Sequence, residues 1–357
     1  APVTTTVVIT ALPTANISYS GSPWCKSAGV QSVTLTGTGP YTGGTYTSTA
    51  GLTINSTTGQ ITPSTSTAGT YTVTYTTPGS TCTATATTTV TITNPPTAAI
   101  SYSGSPWCTS AGTQAVTLTG TNAYTGGTYT AAPGGLTLDA ATGQITPSTS
   151  TAGTYTVTYT IAAAGGCSAV NATATVTVNT IDNPAFNYTP ATMCQTGTDQ
   201  SAVITGGATG TFTASPAGLV FLNASTGLID VSASALNSYT ITFTTNGACP
   251  ANSTLAVNIT SAPDATFSYA GPYCSNGTDP APTFPAGATA GTFSANPSGL
   301  VFVSTTTGQI DVSASAGGTY TVTNNVAASG GCAAATATST VTITELPTAV
   351  LSYSGSP

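Results

Sequence analysis

The sequence contains no histidine and, in 357 residues, a single basic side chain, Lys26. Nucleic-acid binding is excluded on that ground, because displacing the counterions of a phosphate backbone takes several Lys or Arg. The same shortage removes acid–base chemistry by His and leaves the many Ser and Thr hydroxyls without a base to activate them. No Lys follows Lys26, so Lys–Asn isopeptide cross-links are ruled out in the later three quarters of the chain. No apolar run is long enough for a membrane-spanning helix, and Ala1 is not followed by a basic and then hydrophobic signal region, so export is expected to be encoded elsewhere. Helical periodicity is also missing. Low charge alone would indicate disorder, but the 39% hydrophobic content and the alternation of Thr with Val, Ile and Tyr indicate ordered β structure.

What is present is repetition. The stretch GLTINSTTGQITPSTSTAGTYTVTYT at 51–76 returns in recognisable copies beginning at Gly135, Gly218 and Gly299. Tyr19, Tyr102, Tyr188, Tyr269 and Tyr353, in ISYSG-like segments, are spaced by 83, 86, 81 and 84 residues. Repetition therefore outranks total length in setting the domain count. The expected organisation is the last strand of a preceding module at 1–11, complete modules at 12–95, 96–181, 182–261 and 262–346, and the start of a following module at 347–357. On this reading the chain is a window on a longer array. The junctions ALPTA, NPPTA, DNPA, SAPDA and ELPTA are short and stiffened by Pro, which predicts a rod. Modules one and two share GSPWC and TGGTYT, modules three and four share IDVSAS, and the fifth opening returns to the first class. That order predicts a four-module superrepeat.

Eight cysteines fall two to a module: Cys25 and Cys82, Cys108 and Cys167, Cys194 and Cys249, Cys274 and Cys332. With no CxxC and no His, a zinc ion would find only half a tetrahedral site. Disulfides in an oxidising, extracytoplasmic compartment are the expected state. Repetition favours pairing within each module, across 57, 59, 55 and 58 residues, and closing such a loop is worth about 4 kcal/mol in the chain-entropy model.

Within module one, Asn16–Ser20 reads as a first strand, GSPWC as a turn, Gln31–Gly37 as a second strand and TGGTYTS as a third. LTINSTTGQIT follows as a hairpin whose Gly59 suits a positive φ, with Gly143, Gly227 and Gly308 in the same place. Ala68–Thr76 and Thr83–Thr93 supply the closing strands. Seven short strands per module predict an all-β fold: a tandem array of immunoglobulin-like antiparallel β-sandwiches.

The run GL-(T/V)-φ-(N/D/S)-xx-TG-(Q/L)-I followed by AGTYTVT resembles the bacterial immunoglobulin-like and PKD-like repeats of very large secreted surface proteins, including gliding-type adhesins exported by the type IX route. The similarity spans all four modules. It implies that Tyr71, Tyr155, Tyr239 and Tyr320, at the start of the penultimate strand, occupy the tyrosine-corner position of immunoglobulin-like folds. The cysteines depart from the antibody pattern. Cys25 precedes the second strand and Cys82 follows the penultimate one, so the bridge is expected to tie one pole of a sandwich.

Candidate chemistry is sparse. Asp230 and Asp311 occur in LIDVSAS and QIDVSAS but are equivalent positions of separate modules, and Asp139 aligns with Asn55, Asn223 and Ser304 as a turn cap. No catalytic residue and no cofactor is expected. Junction acids are single (Asp182, Asp264, Glu345), which disfavours calcium and leaves no metal site assigned. Trp24 and Trp107 invite sugar stacking, but a Trp beside a Cys more often packs on the bridge, and Met193 replaces it in module three.

The expected function is the structural shaft of a secreted bacterial cell-surface adhesin or extracellular fibre. Its partners are neighbouring modules of the same long chain, a filament formed laterally through Thr-rich edges, and a surface glycan or substratum contacted by regions outside this window. The alternative is a set of spacer or carbohydrate-binding modules in a secreted polysaccharide-degrading enzyme. Lys26 leaves trypsin-like proteases a single cleavage point.

Overall fold

The computed structural model describes residues 2–9, 11–79, 82–352 and 354–355, so that Tyr353, the fifth of the aligned tyrosines, lies outside the described residues. The chain divides into two compact units at Thr180 and Ile181.

In the first unit, β1 (Thr14–Ser18), β2 (Trp24–Cys25), β3 (Thr34–Thr38), β4 (Thr45–Ser48), β5 (Gly69–Thr76) and β6 (Thr85–Thr93) are followed by a second set. That set is β7 (Thr97–Ser101), β8 (Trp107–Cys108), β9 (Thr117–Thr121), β10 (Thr128–Ala132), β11 (Gly153–Ile161) and β12 (Val170–Asn179). Each set makes two sheets. β1 pairs antiparallel with β3, and β2-β6-β5-β4 form a four-stranded sheet; β7–β9 and β8-β12-β11-β10 repeat the arrangement.

The second unit contains β13 (Phe186–Asn187), β14 (Thr192–Cys194), β15 (Val203–Ile204), β16 (Gly210–Ser215), β17 (Val220–Asn223), β18 (Leu228–Asp230), β19 (Asn237–Thr245) and β20 (Asn252–Thr260). Then come β21 (Tyr273–Cys274), β22 (Thr292–Asn296), β23 (Val301–Ser304), β24 (Gln309–Asp311), β25 (Gly318–Val326) and β26 (Ala335–Thr344). Its four-stranded sheets are β14-β20-β19-β16 and β21-β26-β25-β22.

Period-two sequence explains both faces. In β5 the alternation T-Y-T-V-T-Y-T buries Tyr71, Val73 and Tyr75 and turns the threonines away from the core. Burial of each such side chain is worth about 1.5–3 kcal/mol. Facing them are Ile17 from β1 and the half-buried Leu35 from β3, with Trp24, Tyr46, Ile61, Val90 and Ile92 completing the cluster. Tyr46 and Tyr75 pack at 4.6 Å between ring centroids; Phe212 and Phe243 stack at 4.4 Å in the equivalent place. On the outer face, threonines pair across strands: the hydroxyls of Thr70 and Thr91 lie 3.0 Å apart, those of Thr154 and Thr177 3.1 Å, and those of Thr319 and Thr342 3.1 Å.

The stretch at 51–76 is a hairpin and a core strand. Ile54 bridges Ile61, Asn55 N–H donates to Gln60 O at 2.8 Å, and Gly59 has φ 71°. A Cβ at Gly59 would stand 2.8 Å from Tyr46 Cε1 and from Val33 Cγ1, so glycine answers both the backbone and the packing. The Tyr19 hydroxyl donates to Gly59 O at 2.5 Å, tying the ISYSG segment to the turn, and Tyr102, Tyr188 and Tyr269 make the same bond to Gly143, Gly227 and Gly308.

Two local expectations need correction. GSPWC is not only a turn: Trp24 and Cys25 form a two-residue strand that runs parallel to β6, with Trp24 opposite Ile92 and Cys25 opposite Thr93. The strand expected at Gln31 begins at Thr34, and Gln31 makes only an isolated bridge to Ile61.

Candidate functional site

The side chains with chemistry of their own meet where one sandwich follows another. Because β2 lies beside the end of β6, Cys25 is held at the exit pole of the first module, where Lys26 N–H donates to Thr93 O at 2.9 Å. The second cysteine of a module precedes its last strand and so sits at the opposite, entry pole. In the second module this entry loop is the turn Ala164-Gly165-Gly166-Cys167, closed by reciprocal Ala164 and Cys167 backbone bonds of 3.1 and 2.9 Å. Gly165 and Gly166 have φ 58° and 76°, the paired positive values of a tight hairpin turn.

Exit pole and entry loop are bonded. Cys25 and Cys167 form a disulfide with Cα atoms 4.7 Å apart, joining residues 142 positions apart. Around it, the Thr93 hydroxyl donates to the Gly165 carbonyl and lies 3.5 Å from Cys167 Sγ. Gly166 approaches the first module so closely that a Cβ there would fall 2.2 Å from Pro23 O. A pocket of 160 Å³ lined by Thr93, Pro96, Ile161 and Cys167 adjoins the bond.

The second unit builds the same joint with different residues. Cys194 and Cys332 are bonded with a Cα separation of 4.8 Å and a sequence separation of 138. The turn Ser329-Gly330-Gly331-Cys332 repeats the double positive φ, at 56° and 77°. Thr260 takes the place of Thr93: its hydroxyl donates to Gly330 O. Cys108 in the first unit and Cys249 in the second are each engaged in a disulfide as well.

These bonds overturn the expected pairing within modules. Cys25 does not pair with Cys82, nor Cys108 with Cys167, Cys194 with Cys249, or Cys274 with Cys332. The reason is length. Cys82 and Cys25 flank opposite ends of β6, whose eight steps from Thr85 to Thr93 span roughly 26 Å, against the ~4.4–6.8 Å that a disulfide tolerates between Cα atoms. Cys82 and Cys274, both expected in bridges, have free thiols; Cys82 is half-buried and Cys274 exposed.

The other singled-out residues serve the fold. The Tyr71 hydroxyl donates to Thr67 O at 2.7 Å, Tyr155 to Thr151 O at 2.6 Å, Tyr239 to Ala235 O at 2.8 Å and Tyr320 to Ala316 O at 2.7 Å, each reaching the carbonyl four residues back, in the turn that leads into its strand. Asp139 accepts from Ala141 and Thr142 N–H at 2.8 Å, and the Thr142 bond foremost lowers its pKa. Asp230 and Asp311 cap Ser-containing turns in the same way and are likewise lowered, mainly by the Ala233 backbone and the Ser313 hydroxyl. Trp24 and Trp107 are 6% exposed and meet Tyr19 and Tyr102 edge-on, so neither presents a ring face to a sugar. Among the described residues, no three His, Cys, Asp or Glu side chains come together, and no helix is long and apolar enough to cross a membrane.

The fold defines a tandem array of immunoglobulin-like antiparallel β-sandwiches. No protein-family profile and no curated protein sequence matches the chain. Solved structures similar to it include protocadherin gamma B2 extracellular cadherin domains 3–6, at 12% identity and a TM-score of 0.32, covering 92% of this chain and 99% of that one. The N-terminal eight Ig domains of Down syndrome cell adhesion molecule match at 11% identity and a TM-score of 0.41, covering 92% of this chain and 49% of that one. Drosophila N-cadherin EC1-4 matches at 10% identity and a TM-score of 0.25, covering 84% and 92%.

Proposed function

We propose that the chain is a non-catalytic, load-bearing part of an extracellular shaft, of the kind that carries a bacterial surface adhesin or forms an extracellular fibre. The observation that carries this reading is the disulfide joint. Consecutive sandwiches are bonded pole to loop in both units, a device that adds nothing to catalysis and holds one module against the next under tension. Disulfides require an oxidising compartment, and a surface covered by threonine with one basic side chain suits exposure outside a cell. On this reading the modules stack into a rod whose length follows copy number, and the adhesive contact is made elsewhere in the assembly.

An antiserum raised against residues 12–181 tests the proposal when applied to intact cells of the source organism and viewed by electron microscopy. Label along extended surface material is the expected result. Label confined to the medium and co-purifying with polysaccharide-degrading activity would transfer the modules to the spacer role in a secreted enzyme.

A further inference from the structure

The third module departs from the repeat at three positions that the fold brings together. The register that aligns Phe243 with Tyr75 and Tyr159 places Asn246 where the other modules have Pro78, Ala162 and Ala327. In the same register Thr209 replaces Gly43, Gly126 and Ala290. The tyrosines bonded to the hairpin glycines align Asp182 with Pro13, Pro96 and Pro263. None of these polar groups is needed to fold a sandwich, because the other modules fold without them.

They meet at the loop that follows β19, Asn246-Gly247-Ala248-Cys249. The Gly247 N–H donates to Asp182 Oδ2 at 2.9 Å, and the Thr209 hydroxyl donates to Asn246 Oδ1 at 2.6 Å. Backbone bonds pin both supporting residues: Asp182 N–H donates to Cys249 O at 2.9 Å, and Asn246 N–H to Thr209 O at 3.0 Å. A Cβ at Gly247 would fall 2.5 Å from Asp182 Oδ2, so glycine is what admits the carboxylate this close to the backbone. The backbone nitrogen that follows an Asn is the nucleophile able to close a five-membered imide on its side-chain amide. Here that nitrogen has a carboxylate in place to take its proton, and the carbonyl it would attack holds a hydroxyl donor where negative charge develops.

We propose that Asn246-Gly247 is a self-modification site, with Asp182 as general base and Thr209 as oxyanion donor for cyclisation of Asn246 to a succinimide. A bond forms from Gly247 N to Asn246 Cγ while Asp182 takes the Gly247 proton. The bond from Cγ to Nδ2 then breaks, and that proton passes to the leaving nitrogen, which departs as ammonia. Water opens the ring at either carbonyl, leaving aspartate or isoaspartate at position 246. One water is consumed, one ammonia is released, and no oxidant or reductant takes part. The product sets a second carboxylate beside Asp182 and, as isoaspartate, reroutes the backbone through the side chain in the loop that carries Cys249. This chemistry goes beyond the shaft reading and does not depend on it.

The chain carries its own control. Asn276-Gly277 is the same dipeptide, also exposed, but its Gly277 N–H donates to the Cys274 carbonyl at 2.9 Å and not to a carboxylate. In the test, freshly purified full chain is held at neutral pH, reduced and digested with chymotrypsin. The peptides bearing Asn246 and Asn276 are followed by mass spectrometry for loss of ammonia and by labelling with isoaspartyl methyltransferase. Asn246 should convert about a hundredfold faster than Asn276, the lower range of what a positioned base contributes; a position 246 already converted at purification beside an intact Asn276 is the same result. Asp182→Asn keeps an acceptor for the Gly247 N–H and should bring Asn246 down to the rate of Asn276, while Thr209→Val should slow it several-fold. Similar rates at Asn246 and Asn276 in the parent chain would overturn the proposal. So would an Asp182→Asn chain that converts as fast as the parent, the outcome if Asp182 only ties the loop.

Discussion

At the register position of Tyr75, Tyr159 and Phe243, the fourth module carries Asn324, fully buried. Its side-chain oxygen accepts from Gly291 N–H at 2.8 Å and its nitrogen donates to Ala265 O and Thr289 O at 2.9 Å, replacing the bonds that the Tyr75 hydroxyl makes to Gly44 N–H and Tyr41 O. Asn324→Leu leaves these groups buried without partners and is expected to cost about 3 kcal/mol, read as a lowered urea midpoint of the least stable transition. Tyrosine chemistry sets the alkaline limit. Burial raises the pKa of Tyr19, Tyr102, Tyr188 and Tyr269 above the ordinary 10.0. A raised folded pKa gives stability that is complete below the unfolded value and lost as pH rises through it towards the folded one. Urea midpoints should hold steady up to pH 10 and then fall, with the phenolate signals of these four tyrosines appearing only as the chain unfolds. The exposed turn caps Asp139, Asp230, Asp264 and Asp311 act in the opposite direction: their lowered pKa values contribute stability above the unfolded 3.8 that is lost as pH falls below it.

The elements that build the joint are small, and their size explains what the sequence revealed. The long strands, the Gly59 hairpin and the tyrosines at the turns were legible because period-two alternation and turn residues are local signals, repeated four times. The joint was not. Its receiving half is a two-residue strand, β2, too short for any alternation, and its parallel register beside β6 decides which pole holds Cys25. Its delivering half did leave a trace: the second and fourth modules place two glycines before the cysteine, in AGGC and SGGC, the signature of a hairpin turn with two positive φ values. Cysteine spacing alone pointed inside the module, since it counts residues and ignores the strand that separates them. Gly166→Ala tests the close approach. The Cβ would meet backbone at Pro23, so oxidative folding should leave Cys25 and Cys167 reactive towards a thiol probe, while circular dichroism keeps its β signature because each core cluster lies within one sandwich.

Across the whole molecule the bonds link residues 142 and 138 positions apart, far longer loops than pairing within modules would close. Each is worth about 5 kcal/mol in the chain-entropy model, through the unfolded chain it constrains. Under pulling, a load that enters at Cys25 crosses to Cys167 through one covalent bond. Residues between them are spared extension, and single-molecule stretching should show that length only after reduction.

The same bypass changes what a cut means. Lys26, the one site open to trypsin, follows Cys25 directly and therefore lies inside the first closed loop. Cleavage after Lys26 opens the backbone without parting the molecule, because Cys25 still holds the upstream piece to Cys167. Trypsin digestion is expected to leave one species on a non-reducing gel and two after reduction. A single severed peptide bond becomes a concealed nick, and the chain stays in one piece for as long as its surroundings stay oxidising.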